Sequence, residues 1–268
     1  MRAGRSSGSA VVLAGALALG VFAAPSAAAA DTGITVTDMV VNKGRPIVVG
    51  TSATVKPGFT FRMTWPSGVE LPDAQVSPFL YHDTTAAKGD ADGGIYISSV
   101  GCGDNGSQPA DCGGQFYIEP RYTLDSNNDA TTWKIAAGAK IWGPDDKLKS
   151  QEILTGLGTV RVLRAAKVTS NATPEPVAKG RTLTVKGAVT RADWVKHKYV
   201  GFGGKSAKLQ FRAKGSGTYT TLKIVQADSA GALKTTVKAS ADGYYRWTFG
   251  ATSTTGGATS AGDYVDVR

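Results

Sequence analysis

Hydrophobic and polar residues alternate along much of the chain, and turn-forming residues interrupt the alternation at short intervals. In an extended segment, Leu183 and Val185 would face one side while Thr184 and Lys186 face the other. Strict alternation of this kind predicts a half-buried β-strand. The same pattern recurs in three further segments of the C-terminal half, at 208–212, 233–238 and 244–249. Four such strands predict an immunoglobulin-like sandwich of about 100 residues.

The N-terminal half is less regular but has a similar number of β-rich runs. These lie at residues 34–41, 47–55, 59–65, 76–81, 94–100, 114–118 and 131–141. Neither half shows the periodicity of an amphipathic helix. The two halves meet near residues 162–168. The pattern therefore predicts an all-β protein with two tandem immunoglobulin-like β-sandwiches, at residues 31–163 and 164–268.

The first 30 residues have a different character. Arg2 and Arg5 precede an apolar run from Ala10 to Ala24, and small residues continue to Ala30. This order is typical of a cleavable signal peptide. The apolar run is about 15 residues long, whereas a membrane-spanning helix needs about 20. We therefore expect cleavage after Ala30 and a secreted, extracellular protein without membrane insertion.

Composition adds a contrast between the two halves. The chain has 268 residues, of which 41% are hydrophobic and 19% charged, as in a globular protein of one or two domains. Residues 31–163 carry 11 basic and 15 acidic side chains, a net charge of −4, whereas residues 164–268 carry 17 and 6, a net charge of +11. Such an excess of positive charge favours an anionic partner for the C-terminal half.

Several segments carry a resemblance to a known family. They are Ile34–Asn42 and Pro46–Gly50 in the first half, and Lys179–Gly187, Lys208–Arg212, Leu233–Val237, Asp242–Trp247 and Asp263–Val265 in the second. Together they resemble secreted actinobacterial proteins with two immunoglobulin-like domains. Some members of that group are loosely labelled calcium-binding. The resemblance implies the fold and the compartment, and it implies no catalytic activity.

Two cysteines, Cys102 and Cys112, flank a glycine-rich segment. In an exported chain, two cysteines at this spacing most often form a disulfide bond. Closing a loop of this length should stabilise the fold by about 2–3 kcal/mol on the chain-entropy model. We expect a structural disulfide rather than a redox site, because the spacing is not Cys-x-x-Cys.

Acidic residues in the predicted loops of the first half are candidate calcium ligands, because calcium takes six to eight oxygen ligands. The candidates are Asp90, Asp92, Asp104, Asp125 and Asp129. Residues 125–129 match the start of an EF-hand loop, but Ala130 replaces its glycine and Ala136 its closing glutamate. Calcium is thus a possible cofactor only if several loops converge, and each acidic run alone is more typical of a solvated turn.

Basic residues fall on the outward phase of successive strands in the second half, and the pattern predicts that they form one basic sheet face. The proposed ligand-binding set is Lys208, Arg212, Lys234 and Lys238, together with Trp194. Trp194 lies outside any alternating strand and is the tryptophan best placed for exposure, although a loop tryptophan that covers the open end of the sandwich is the favoured interpretation. Threonines lie between the basic residues, so stacking on nucleic acid bases is not indicated. An anionic cell-surface polymer or polysaccharide suits an exported protein better.

Catalytic motifs are missing from the sequence. The chain has two histidines, His82 and His197, one in each half, and neither a Gly-x-Ser-x-Gly nor a His-Glu-x-x-His motif. The sequence therefore predicts a secreted, non-enzymatic protein that binds an anionic wall polymer or polysaccharide through its C-terminal half. Two alternatives stay open at this point: a calcium-dependent extracellular module, and a cryptic hydrolase or inhibitor.

Overall fold

A computed structural model describes residues 31–103 and 107–268, without the side chains of residues 91 and 92. The predicted signal peptide and Asp104 lie outside the described residues. The strands are β1 (Thr35–Val41), β2 (Ile47–Val49), β3 (Gly58–Thr64), β4 (Ala74–Tyr81), β5 (Ile95–Cys102), β6 (Ala110–Phe116), β7 (Thr132–Trp142), β8 (Leu148–Leu154), β9 (Thr159–Arg164), β10 (Ala166–Thr173), β11 (Thr182–Asp193), β12 (Lys198–Gly201), β13 (Ser206–Ala213), β14 (Thr220–Gln226), β15 (Ala232–Lys238), β16 (Gly243–Phe249), β17 (Ala258–Thr259) and β18 (Asp263–Val265).

Two short α-helices, α1 (Ala86–Asp92) and α2 (Pro120–Thr123), interrupt the strands of the first half. Helix α1 lies where the sequence predicted a solvated acidic loop, and that prediction is wrong. The side chain of Thr85 caps the helix by accepting a hydrogen bond from the backbone N–H of Lys88 at 3.2 Å. Single 3-10 turns are formed by Asn42–Gly44, Leu71–Asp73 and Asn127–Asp129.

The first sandwich, built from β1 to β9, is one sheet that folds over on itself. Its strand order is β1-β3-β6-β5-β4-β7-β9-β2, with β8 paired to β7. Strand β5 changes partner along its length: Ile95 and Tyr96 pair with β4, whereas Ile97 to Cys102 pair with β6. Because buried residues from both halves of the sheet form a single core cluster, the two halves face each other.

The second sandwich has two separate sheets. Strands β10, β11, β12 and β15 form one, and β14, β13, β16, β17 and β18 form the other. Of the side chains predicted to face inward, Leu183, Val185 and Trp247 are fully buried between the sheets, whereas Phe211 and Val237 are partly buried. The prediction of an all-β protein with tandem immunoglobulin-like sandwiches is confirmed.

The chain passes directly from one sandwich to the other. Strand β9 ends at Arg164 and β10 begins at Ala166. Across this junction the N–H of Ala165 donates to the carbonyl of Val49 at 2.8 Å, and the N–H of Arg164 donates to the carbonyl of Thr254 at 3.0 Å. The Arg164 side chain is buried, and burial, reinforced by the positive charge of Arg191, lowers its pKa to about 10. Backbone hydrogen bonds and buried charge thus join the two sandwiches.

Candidate functional site

The basic residues predicted to form one face lie on two. Lys208 and Arg212 are on β13, while Lys234 and Lys238 are on β15, and these strands belong to different sheets. The prediction of a single basic sheet face is therefore wrong. Alternation decides which side chains point outward from a strand, but it does not decide to which sheet of a sandwich the strand belongs.

One outer face, on β11 and β15, consists of lysines and threonines and is called here the lysine–threonine face. It comprises Thr182, Thr184, Lys186, Lys234, Thr236 and Lys238. Lys186 and Lys234 lie directly opposite each other in the register, which is an unfavourable pairing of like charges. The ammonium group of Lys238 donates to the hydroxyl of Thr182 at 3.2 Å. This face supplies positive charge without a flat surface for stacking.

The opposite outer face combines arginines with tyrosines and is called here the arginine–tyrosine face. It comprises Arg212, Tyr219, Tyr244, Arg246 and Tyr264, all of them half-buried. The strand register places Arg212 opposite Tyr244 and Tyr244 opposite Tyr264, so that these three form one row across β13, β16 and β18. Cross-strand neighbours in such a row contact one another directly.

The rings and guanidinium groups of this face lie within stacking distance. The guanidinium carbon of Arg246 is 3.5 Å from the ring centre of Tyr219, and that of Arg212 is 4.3 Å from the ring centre of Tyr244. The ring centres of Tyr244 and Tyr264 are 5.2 Å apart. Each arginine is thus held over an aromatic ring, an arrangement in which the planar cation keeps its charge while its position is fixed.

Hydrogen bonds fix both arginines further. The Nε of Arg246 donates to the Oε1 of Gln210 at 2.9 Å, and the Nη1 of Arg212 donates to the carbonyl of Ser216 at 2.6 Å. A guanidinium group has five N–H donors in a rigid fork. Within the described chain, Arg212 and Arg246 each donate the one hydrogen bond given above. Their other N–H groups are left to bind a carboxylate or phosphate.

Charge on this face is predominantly positive. Lys208 on β13 and Lys214 beyond its end add to the two arginines. The ammonium group of Lys214 lies 3.7 Å from the carboxylate of Asp242, and the hydroxyl of Tyr264 together with that carboxylate raises the pKa of Lys214. The arginine–tyrosine face therefore combines fixed cations with half-buried aromatic rings, which suits a ligand that has both anionic groups and ring faces.

Sequence reasoning included Arg212 in the site but omitted its tyrosines. Tyr244 falls on the outward phase of β16, next to Arg246, and this alternation was a usable signal. Tyr219 lies in the connection between β13 and β14, and Tyr264 lies on the three-residue strand β18, where the pattern is too short to assign a face. On the lysine–threonine face only threonines lie between the basic residues, whereas on the other face tyrosines lie among them as well.

The inclusion of Trp194 in the ligand-binding set is also wrong. Its place in the ligand-binding set required an exposed side chain, but Trp194 is fully buried and packs in the core of the first sandwich. Strand β11 runs past the edge of its own sandwich, so the residue after Asp193 reaches the neighbouring one. The indole N–H donates to the carbonyl of Gly50 at 2.9 Å, and the side chain of Asn127 accepts the backbone N–H of Trp194 at 3.0 Å. Trp194 is a residue of the junction and is not available to a ligand.

Of the acidic candidates, only Asp90, Asp125 and Asp129 have described side chains, and these three do not form a metal-binding group. Among residues 31–103 and 107–268, no group of three His, Cys, Asp or Glu side chains could hold a metal ion. Asp90 lies on α1 and Asp125 is exposed before the 3-10 turn. Asp129 is buried, accepts the N–H of Ser126 at 3.1 Å and lies 3.5 Å from the Nε2 of His82. The calcium site stays a prediction.

The predicted disulfide between Cys102 and Cys112 is confirmed. The two cysteines lie opposite each other on β5 and β6, with their Cα atoms 3.9 Å apart. Within the described part of the chain, no helix has the length and apolar character required to cross a membrane.

Comparisons with known proteins yield distant structural likenesses only. No protein-family model matches the chain, and no curated protein matches its sequence. A marsupial T cell receptor is 10% identical with a TM-score of 0.37, covering 87% of this chain and 73% of the other. Fibronectin(III)-like modules of Clostridium thermocellum CbhA are 12% identical with a TM-score of 0.30, covering 85% and 92%. The D00-D0 domain of Intimin is 14% identical with a TM-score of 0.28, covering 85% and 98%. At these values the likenesses carry no argument about function.

Proposed function

We propose that the protein is a secreted, non-enzymatic binding protein that holds an anionic wall polymer or acidic polysaccharide on its arginine–tyrosine face. The single observation behind the proposal is the row of Arg212, Tyr244 and Tyr264 across three strands, flanked by Arg246 stacked on Tyr219. This face belongs to the half of the chain with a net charge of +11. Charge attracts the polymer, and the aromatic rings give it a surface to lie on.

The chemistry of the face favours an acidic sugar chain over a bare polyanion. A guanidinium fork pairs with a carboxylate or phosphate through two parallel hydrogen bonds. Tyrosine rings beside the fork contact the apolar faces of sugar rings through their own faces and edges. A polymer that repeats an anionic group on each sugar unit uses both features together, whereas the lysine–threonine face offers only charge.

The test is direct binding of the purified protein to four immobilised polymers. We expect binding to polygalacturonate and to wall teichoic acid and none to neutral dextran. Because the contacts are partly exposed, affinity for the anionic polymers should fall about tenfold or more between 0.1 M and 1 M salt as the Debye length shrinks from about 10 Å to about 3 Å. Single-stranded DNA is the fourth polymer.

Two results would overturn the proposal. One is failure to bind either anionic polymer at low salt. The other is tighter binding of single-stranded DNA than of both wall-type polymers, which would make base stacking the function of the tyrosines. Replacing Arg212 and Arg246 by lysine keeps both charges but removes the planar forks, so we expect roughly tenfold weaker binding of polygalacturonate to this variant.

A further inference from the structure

A second group of exposed tyrosines surrounds a groove in the first sandwich, called here the tyrosine groove. Its volume is about 450 Å³, and it is lined by Gly93, Gly94, Tyr96, Ile97, Ser98, Tyr117, Tyr122 and Thr123. The exposed fractions are 45% for Tyr96, 39% for Tyr117 and 82% for Tyr122. Tyr122 in particular contributes almost nothing to the core, so packing does not account for an aromatic residue there.

The groove lies where the sheet turns its corner. Strand β5 leaves β4 after Tyr96 and joins β6 from Ile97, and the register shifts between Ile97 and Ser99. Irregularities of this kind bend a strand and redirect its side chains, and they are over-represented beside functional sites. The bend opens the space between β5 and the segment around α2, and the three tyrosines border that space.

Contacts with neighbouring elements hold the tyrosines in place. The ring of Tyr96 stacks on Phe79 at 6.3 Å between centres, and its hydroxyl donates to the backbone carbonyl of Asp90. The hydroxyl of Tyr117 donates to the Oε2 of Glu119 at 3.4 Å. The N–H of Tyr122 donates to the carbonyl of Glu119 at 2.9 Å. These contacts position the rings of Tyr96 and Tyr117 before a ligand arrives, so these two rings lose little conformational entropy on binding, whereas the hydrogen bond of Tyr122 fixes only its backbone.

Among the side chains that the structure describes beside the groove, two are basic and two are acidic. The ammonium group of Lys56 is 5.5 Å from the ring centre of Tyr117, and Arg121 precedes Tyr122 on α2. Glu119 and Asp90 supply two negative charges, and burial together with the charge of Asp90 raises the pKa of the Tyr96 hydroxyl. The arginine–tyrosine face differs in this respect, since its cations exceed its carboxylates. Balanced charge beside flat aromatic rings favours a neutral ligand with apolar ring faces and many hydroxyl groups.

We propose that the tyrosine groove binds a neutral, β-linked polysaccharide chain. The rings of Tyr117 and Tyr122 would contact the C–H faces of successive pyranose units, and the Glu119 carboxylate and the Ser98 hydroxyl would hydrogen-bond to their hydroxyl groups. The site is separate from the arginine–tyrosine face and lies in the other sandwich. Together the two sites would let one molecule join a neutral glycan to an anionic polymer.

The experiment uses the purified protein and two soluble neutral probes, fully N-acetylated chitohexaose and cellohexaose, in titration calorimetry. We expect at least one probe to bind with a dissociation constant of millimolar or below, and its affinity to be the same at 0.1 M and 1 M salt. Replacing Tyr122 by alanine should weaken binding roughly tenfold, and Tyr122→Phe should retain it. Ile224→Ala, which removes an exposed apolar side chain from β14 in the other sandwich, is the matched control and should bind as the wild type does.

Absence of binding of both probes at millimolar concentration would overturn the proposal. Wild-type affinity in the Tyr117→Ala/Tyr122→Ala variant, with an unchanged melting temperature, would also overturn it. The result is independent of the function proposed above, because the probes carry no charge. Failure of polygalacturonate binding would leave the neutral site standing, and failure of the neutral probes would leave the anionic site standing.

Discussion

The two sandwiches have surface tyrosines in different electrostatic surroundings, exposed in the first and half-buried in the second. In the first, Tyr117 and Tyr122 lie among charges that cancel, whereas in the second, Tyr219 and Tyr244 lie against arginine guanidinium groups. Both sandwiches have the same all-β architecture, so the fold does not separate their roles. The charged groups beside a tyrosine ring therefore decide which class of sugar it suits. Balanced charge favours a neutral sugar, and stacked cations favour an acidic sugar.

The two sandwiches present separate surfaces, but their packing is connected at Trp194. This residue follows the strand β11 of the second sandwich but is buried in the core of the first. Truncating a fully buried tryptophan leaves a large cavity, so Trp194→Ala should lower the free energy of unfolding by about 3–5 kcal/mol. Chemical denaturation of the variant beside the wild type measures this loss.

Trp194→Phe should lower the free energy of unfolding by less than Trp194→Ala does, because phenylalanine keeps part of the packing but not the hydrogen bond to Gly50. The junction account requires that both sandwiches unfold at lower denaturant concentration in Trp194→Ala. A change below about 1 kcal/mol would mean that the junction contributes little and that the sandwiches are independent units.

The disulfide bond is a further difference between the sandwiches, because it lies in the first one alone. Reduction of the bond between Cys102 and Cys112 should destabilise that sandwich by about 2–3 kcal/mol, since the unfolded chain regains the entropy of an open loop. Thermal melts with and without reductant give the shift. Polygalacturonate binding to the arginine–tyrosine face should not change at temperatures below the melt, and a parallel loss of binding would show that the faces are coupled.

Acid should weaken the junction through Asp193. Burial alone would raise its pKa, but the N–H of Lys196, the side chain of Asn127 and the charge of Arg164 together lower it. The ionised form is therefore favoured by folding, and its contribution is present above the unfolded-state pKa of about 3.9 and is lost as the pH falls through the lower folded value. Asp193→Asn should cost about 1 kcal/mol at pH 7.

The difference between Asp193→Asn and the wild type should shrink as the pH falls below the unfolded-state pKa and should close below the lowered folded pKa of Asp193, where both side chains are neutral. Asp145→Asn is the control, because Asp145 is exposed with its partner Lys147 and should have no measurable effect. A gap between Asp193→Asn and the wild type that is constant from pH 7 to pH 3 would assign the loss to packing and not to charge.

Much of the fold was predictable because alternation reports directly on half-buried strands. Leu183, Val185 and Trp247 were assigned inward from sequence, and all three are buried. The candidate site was less predictable, since Lys208 and Lys234 have the same outward phase but lie on opposite faces. Sheet membership depends on how the chain crosses between layers, and local pattern does not record that crossing. The buried position of Trp194 depends in the same way on the neighbouring sandwich.

The most direct test of the central claim compares equal charge losses on the two outer faces of the second sandwich. The variants are Arg212→Gln/Arg246→Gln and Lys234→Gln/Lys238→Gln, each of which removes two positive charges. Binding to polygalacturonate is measured at 0.1 M salt, with melting temperatures confirming that both variants fold. We expect the arginine variant to lose affinity about tenfold or more and the lysine variant about twofold or less. Equal losses would contradict the account, because the protein would then bind through net charge and not through the arginine–tyrosine face.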